Sequence, residues 1–346
     1  MRFHVIDMPI EPIETRYSLQ WARWFPRAYG KADLMFSQIQ GARAWAQKVG
    51  SSNFLDPVDT FRWKFPQLNL ALSAMQMTMN EHNSNKPDGF VVFLHDAWFP
   101  GIECFKYISD MLDIPIGIVG FWHAGSYIPE DPLGQHELHR WARGSECTWF
   151  EICDAVCVGS QHHKEMILSA LSSSAHDGDK VHVTGYPCEV PELGGWAWKN
   201  RADRVVWPHR LSAEKHPQVF DLLAENSRFK GVEFVKTLKV CKTKAAYYEM
   251  LASSKVAIST AALETFGISM VEAALSGCYP ICPNRLAYKE TMQPSMLFDS
   301  YSEAMDMIDI ALNQKVTYQY NRVHQFSPET VCGRICEIIK SVGALL

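Results

Sequence analysis

Val256-Ala-Ile-Ser-Thr-Ala-Ala-Leu-Glu-Thr-Phe-Gly-Ile-Ser-Met-Val-Glu-Ala-Ala-Leu-Ser-Gly-Cys-Tyr-Pro-Ile-Cys-Pro283 reads as one strand, helix and strand in succession. Val256–Thr260 and Cys278–Pro283 are short apolar runs of the kind buried parallel strands need, and a helix starts around Gly267. A helix that begins where a strand stops aims its first amides past the carboxyl edge of the sheet. Those N–H groups lack partners within the helix and carry partial positive charge, so the backbone of Gly267, Ile268 and Ser269, with Phe266 just before it, suits a hydroxyl or a phosphate oxygen. Gly267 also permits close approach. Glu264 precedes the helix and Glu272 lies in its second turn with its side chain leaning back, so both carboxylates reach one elongated ligand. Carboxylates suit ribose and hexose hydroxyls. The plain alternative is an acid at a helix N-terminus and a solvated helix charge.

Working outward, the same alternation fills the chain. Apolar runs at 2–7, 33–38, 90–95, 114–121 and 154–159 alternate with segments of helical spacing, and a second series runs from Asp203-Arg-Val-Val-Trp-Pro through Val232-Glu-Phe-Val-Lys to the unit above. This predicts an α/β chain of two Rossmann-like, doubly wound domains, with ligands bound beyond the carboxyl ends of the strands on the two walls of a cleft. Gly185-Tyr-Pro-Cys-Glu-Val-Pro-Glu-Leu-Gly-Gly-Trp interrupts both periodicities and places the boundary near 186–202. The expected domains are 1–190 and 191–326, followed by an amphipathic helix over 327–346. That helix opens with Ser327 as N-cap, Pro328 and Glu329, and continues with Val331, Ile335, Ile338, Ile339 and Val342 on one face.

Composition agrees with two cores, since 47% of 346 residues are hydrophobic. No run reaches the ~18 apolar residues of a membrane span, and the start of the chain has no signal-peptide pattern, which predicts a soluble protein of the cytoplasm with no membrane partner. The ten cysteines fit that compartment as reduced thiols in apolar segments, without a zinc-like C-x2-C pair. A net charge of −5 argues against a broadly cationic surface but leaves room for a local basic strip.

Upstream of the Gly267 turn, Val205-Val-Trp-Pro-His-Arg-Leu-Ser-Ala-Glu-Lys puts Arg210 and Lys215 in the loop after the first strand of the second half. A guanidinium and an ammonium there would neutralise a diphosphate and stabilise a departing nucleotide. Taken alone they read as surface cations; together with the two glutamates they read as a site.

The segment from 203 to 290 resembles the nucleotide-sugar half of GT-B glycosyltransferases, in particular the retaining group with an E-x7-E signature, which Glu264 and Glu272 fill. W-P-H-R at 207–210, Lys215 and G-C-Y-P-I-C-P-N-R-L-A-Y at 277–288 resemble more narrowly the queuosine-tRNA mannosyltransferases and the phage glycosyltransferases that decorate hydroxymethylated DNA bases. The resemblance implies that Glu264 contacts the transferred sugar, Glu272 the nucleotide ribose, and Arg210 with Lys215 the diphosphate of a UDP- or GDP-sugar. It implies no metal and no cofactor beyond that co-substrate. Consistently, Asp299-Ser-Tyr-Ser lacks the second acid of a D-x-D site.

In the N-terminal half, Ile114-Pro-Ile-Gly-Ile-Val-Gly-Phe-Trp-His delivers His123 to a strand end, where the resemblance places a sugar-contacting histidine. Phe93-Leu-His-Asp-Ala-Trp ends another strand, and His95 or Asp96 either touches the acceptor or braces the loop. Trp98, Trp122 and Tyr127 are aromatic candidates for holding an acceptor base, which must be flipped or single-stranded to react. Glu14, Arg16, Tyr17 and Ser18 stand where the family's glycine-rich first loop would be, and form a polar cluster for acceptor or donor, or else a capped first helix. Phe61-Arg-Trp-Lys-Phe-Pro interleaves aromatic and basic residues, as a base-stacking segment or as cations snorkelling over a buried edge. His136 and His139, a helical turn apart, lack the third ligand of a metal site.

The resulting expectation is a retaining glycosyltransferase acting on a hydroxymethylated pyrimidine in DNA, phage-encoded and working in the host cytoplasm. Queuosine in tRNA and a glycan or small molecule are the other acceptors. A nucleotide-sugar epimerase or a silent binding module is the alternative without transfer.

Overall fold

A computed structural model describes residues 2–13, 16–42, 57–80, 86–135, 139–191, 197–314 and 324–346. Glu14 and His136 lie outside them. The chain forms two compact units, one of residues 1–159, 163–185 and 328–346, the other of 160–162 and 186–327.

In the first unit, six strands form one parallel sheet: β1 (Phe3–Met8), β2 (Phe36–Gln38), β3 (Gly89–Leu94), β4 (Ile116–Phe121), β5 (Ala155–Val158) and β6 (Val181–Val183). Their spatial order is β2-β1-β3-β4-β5-β6. The helices between them are α1 (Tyr17–Lys31), α2 (Pro57–Met79), α3 (Glu103–Leu112), α4 (Pro132–Gln135), α5 (His139–Ile152), α6 (Gln161–Leu171) and α7 (Asp177–Lys180). Every residue of β3 and β4 is buried, which is why both segments are continuous apolar runs without alternation.

The second unit repeats the plan with β7 (Ala202–Trp207), β8 (Glu233–Lys236), β9 (Ser254–Ile258), β10 (Tyr279–Pro283) and β11 (Leu297–Phe298), in the order β11-β10-β9-β7-β8 and again parallel. Its helices are α8 (Pro217–Ala224), α9 (Thr237–Val240), α10 (Lys244–Ser253), α11 (Ile268–Leu275), α12 (Tyr288–Thr291) and α13 (Tyr301–Asn313). The expected doubly wound architecture is therefore present twice. The edge strands β6 and β11, three and two residues long, are too short to carry a periodic signal and were not anticipated.

The last helix, α14 (Pro328–Leu345), returns to the first sheet, where it lies beside α1 and over β3, β4 and β5. Val331, Ile335, Ile339 and Val342 are buried there, each contributing roughly 1.5–3 kcal/mol. Gly117 in β4 makes the close approach feasible, since a Cβ would come within 2.5 Å of Val342 Cγ1.

Both sheets reverse winding direction at one place. β1 has β2 on one side and β3 on the other, and β7 has β8 and β9. Loops leaving the two strands of such a pair part in opposite directions and open a crevice at their carboxyl ends. Asp7 and His95 mark that point in the first unit, and His209 and Ser259 in the second.

Candidate functional site

In the second unit, Pro208, His209 and Arg210 leave β7 while Ser259 and Thr260 leave β9 alongside. Thr260 ties the two loops: its hydroxyl accepts from Trp207 Nε1 at 2.9 Å and donates to the Lys215 carbonyl at 2.8 Å. His209 is buried, with Nε2 2.9 Å from Ser259 Oγ, which lies 2.7 Å from Tyr288 Oη, and with Nδ1 3.4 Å from Ser269 Oγ in the first turn of α11. Burial, with Lys215 and Arg210 nearby, pushes its pKa down to about 3 against the opposing pull of Glu264 and Glu214. The imidazole is therefore neutral at physiological pH.

The two predicted cations each rest on a carboxylate. Lys215 Nζ donates to the Leu263 carbonyl at 2.6 Å and to Glu264 Oε2 at 3.0 Å. Arg210 pairs with Glu214, Nη2 to Oε1 at 2.7 Å, and Nε also reaches Ser212 Oγ at 3.0 Å. Burial by itself would raise the Glu264 carboxyl, but the charge and hydrogen bond of Lys215 outweigh it and hold the group below its ordinary value. Glu214 is likewise lowered, burial being overcome by Ser212 and Arg210. The Arg210 side chain is 26% exposed and that of Lys215 10%, so the guanidinium is the more accessible cation.

Gly267 turns the chain into α11 at φ 91°, and a Cβ there would come within 2.7 Å of the Tyr288 ring. Only glycine meets both demands. The Phe266 ring is buried between Tyr186 and Phe326, at centroid distances of 4.8 and 5.0 Å, so of this predicted residue only the backbone is available to a ligand. One turn into α11, Glu272 is buried and its Oε1 accepts from Lys244 Nζ at 2.6 Å and Tyr248 Oη at 2.9 Å, both from α10. The structure thus joins Arg210, Lys215, Glu264, Gly267 and Ser269 around the strand ends, with Ile268 opening α11 beside them and Glu272 a turn farther on. Sequence reasoning missed His209, Ser259, Tyr288, Lys244 and Tyr248. His209 stood inside the W-P-H-R motif, Tyr288 closes the motif at 277–288 and Ser259 ends the strand before the Gly267 turn, whereas Lys244 and Tyr248 carry no local signal, because their meaning lies in the contacts.

In the first unit, Asp7 at the end of β1 is buried. Its Oδ1 accepts from Tyr29 Oη and His95 Nε2, both at 2.7 Å, and its Oδ2 from Gln38 Nε2 at 2.9 Å. This corrects His95 as an acceptor contact: at 1% exposure its ring is committed to Asp7. Trp122 is corrected as well. It is fully buried in the core against Phe150 and Tyr127, on the side of the chain opposite to Phe121 and His123, because successive residues of extended backbone face opposite sides.

His123 is partly exposed. Its Nε2 donates to the His95 carbonyl at 2.6 Å, and Nδ1 lies 3.4 Å from Tyr17 Oη, while burial lowers its pKa. Tyr17 packs tilted against Trp21 and His123, and Arg16 precedes it in extended backbone. Asp96 accepts from Lys64 Nζ at 2.8 Å and from the Trp98 amide at 3.1 Å. Trp98 Nε1 donates to Glu146 Oε1 at 2.8 Å, and the same buried carboxylate holds Ser126 through its amide and hydroxyl, both at 2.7 Å. Tyr127 Oη lies 3.0 Å from His163 Nε2. His123, Asp96, Trp98, Tyr127, Tyr17 and Arg16 all keep some exposure, and all are in the first unit. The described residues contain no group of three or more His, Cys, Asp or Glu placed to hold a metal ion, and no helix long and apolar enough to cross a membrane.

The chain has the GT-B glycosyltransferase fold. An α,α-trehalose-phosphate synthase (UDP-forming) from Burkholderia vietnamiensis superposes over 100% of both chains with a TM-score of 0.59 at 14% identity. The pneumococcal O-GlcNAc transferase in complex with UDP and GlcNAc does so over 99% of both at 0.55 and 9% identity. In sequence, a 122-residue alignment with the tRNA-queuosine alpha-mannosyltransferase of Drosophila melanogaster is 35% identical and takes in 28% of this chain and 32% of the fly enzyme. The chain thus spans about a third of the length of the curated relative it matches. No protein-family profile matches it.

Proposed function

We propose that this chain is a retaining glycosyltransferase that moves a sugar from a nucleotide sugar to a hydroxyl of a modified nucleoside in nucleic acid, with tRNA the acceptor best supported. The observation that carries the donor half is the convergence of Arg210, Lys215, Glu264 and the α11 N-terminus on one switch point. Arg210, Lys215 and the first amides of α11 take the diphosphate, Glu264 accepts from hydroxyls of the transferred sugar, and Glu272 accepts from the ribose through Oε2 while Lys244 and Tyr248 hold Oε1. Neutral His209 adds polar contacts without a competing charge. The bond from the anomeric carbon to the phosphate oxygen breaks, the acceptor oxygen bonds that carbon on the same face, and the acceptor proton passes to the departing phosphate. Arg210, Lys215 and the helix dipole stabilise the developing charge.

The likeness to the fly enzyme supports a nucleoside acceptor in tRNA, and the W-P-H-R and G-C-Y-P-I-C-P-N-R-L-A-Y motifs extend that support to hydroxymethylated bases in DNA. On the N-terminal unit, Asp96, Trp98, Tyr127, Tyr17, Arg16 and His123 are the acceptor-side candidates. The test is incubation with UDP- and GDP-sugars and either queuosine-containing tRNA or hydroxymethylcytosine DNA, followed by nucleoside mass spectrometry. A hexose or pentose mass on either nucleoside supports the proposal. Conversion of the donor sugar without acceptor would make the chain an epimerase, and an unchanged donor in every reaction would make it a binding module.

A further inference from the structure

The Phe61-Arg-Trp-Lys-Phe segment separates into two faces at the start of α2. Trp63 and Lys64 point inward. Trp63 Nε1 donates to the Pro9 carbonyl at 2.9 Å, and Lys64 binds Asp96 and the Trp98 carbonyl. One turn on, Gln67 bonds the carbonyls of Pro9 and Ile39 at 2.8 and 2.9 Å. These acceptors follow β1, β2 and β3, so the first turns of α2 are pinned across the carboxyl ends of three strands at the switch point of the first unit. The outward face of the same turns carries Phe61, Arg62 and Phe65. The two rings are stacked, with centroids 5.0 Å apart and planes 21° from parallel, and Phe65 is 55% exposed.

We infer that Phe61 and Phe65 form a base-stacking platform, with Arg62 beside it to meet a phosphate, that receives an unstacked base of the nucleic-acid strand carrying the acceptor. This rests on the acceptor reading above. An i, i+4 aromatic pair stabilises a helix by only ~0.2–0.5 kcal/mol, which accounts poorly for leaving a large ring this open at a functional rim. The charge fits a polyanion. Arg62 is exposed beside the rings, and α1, which leaves the same switch point, bears exposed Arg23 and Arg27 and no acid, whereas Lys64 is neutralised by Asp96 and Lys31 by Glu329. An aromatic face tolerates any base, so the platform contributes affinity, and the chemistry of the acceptor nucleotide contributes the choice.

Fluorescence anisotropy of the full chain with labelled tRNA, and separately with labelled single-stranded DNA containing hydroxymethylcytosine, tests this. Phe65→Leu keeps an apolar side chain on the helix but removes the π face, and should weaken binding ~5- to 100-fold. Phe65→Trp should retain it, and Arg62→Gln should lessen the salt dependence. In each variant the affinity for nucleotide diphosphate should match the parent, which reports intact folding. Tight binding of either nucleic acid by the parent together with Phe61→Leu/Phe65→Leu binding within twofold of it would overturn the platform and leave the acceptor reading standing. Failure of the parent to bind either nucleic acid would overturn both.

Discussion

Replacing Lys244 by methionine tests how the buried Glu272 carboxylate is held. The Glu272 side chain is 4% exposed and that of Lys244 17%, their contact is 2.6 Å, and the ammonium also lies 4.8 Å from the ring centres of Tyr247 and Tyr248. Lys244→Met would leave a buried carboxylate with the Tyr248 hydroxyl as its remaining partner on Oε1. Removing one member of a buried ion pair costs about 3–5 kcal/mol. The partial exposure of Lys244 and the surviving hydroxyl reduce this, so roughly 2–4 kcal/mol is expected. The second variant, Lys244→Met/Glu272→Gln, removes the charge that needs a counter-ion while keeping an oxygen for Tyr248, and should recover most of that loss. Urea unfolding of the four proteins gives the coupling energy as a double-mutant cycle. In the kinetics, Lys244→Met should raise the donor KM with little change in kcat, the signature of lost uniform binding. A Lys244→Met stability within ~0.5 kcal/mol of the parent, or a coupling near zero, would refute the reasoning, because typical surface substitutions fall within that margin.

Two further outcomes follow from the strand-end cluster. Arg210→Ala should weaken nucleotide diphosphate binding by ~1.5–3 kcal/mol in a calorimetric titration while Arg285→Ala, whose guanidinium bonds the Ala261 carbonyl, stays near the parent; equal affinities for the two would remove the clamp. His209 has a folded pKa of about 3 against 6.5 ordinarily, so as pH falls below 6.5 the unfolded chain takes up a proton that the folded chain refuses. Its contribution is complete above that pH and is lost progressively down to about 3, reaching roughly 2–3 kcal/mol by pH 4.5. His209→Asn should therefore show a shallower loss of urea midpoint between pH 7 and 4.5 than the parent; identical slopes would contradict the buried neutral imidazole.

What the sequence determined by itself was the alternation of buried strands and helices in two halves, and the turn at Gly267 with Glu264 and Glu272 eight residues apart. Those are local properties, because a parallel strand buried on both faces must be continuously apolar and a helix N-terminus leaves its amides unpaired whatever surrounds it. Arg210 and Lys215 were placed for the same reason, as residues of a loop after a strand. Only the tertiary structure decided the rest. It put His95 on Asp7, residues 88 positions apart, and Trp122 in the core although it adjoins partly exposed His123. It gave Glu272 its partners from α10 and set α14 against the first sheet instead of the second. Periodicity shows that α14 has an apolar face, but not which surface covers it. Likewise a single lysine, tyrosine or aspartate takes its role from partners far along the chain, since the charge, burial and hydrogen bonds that define it arise only when the elements close around it.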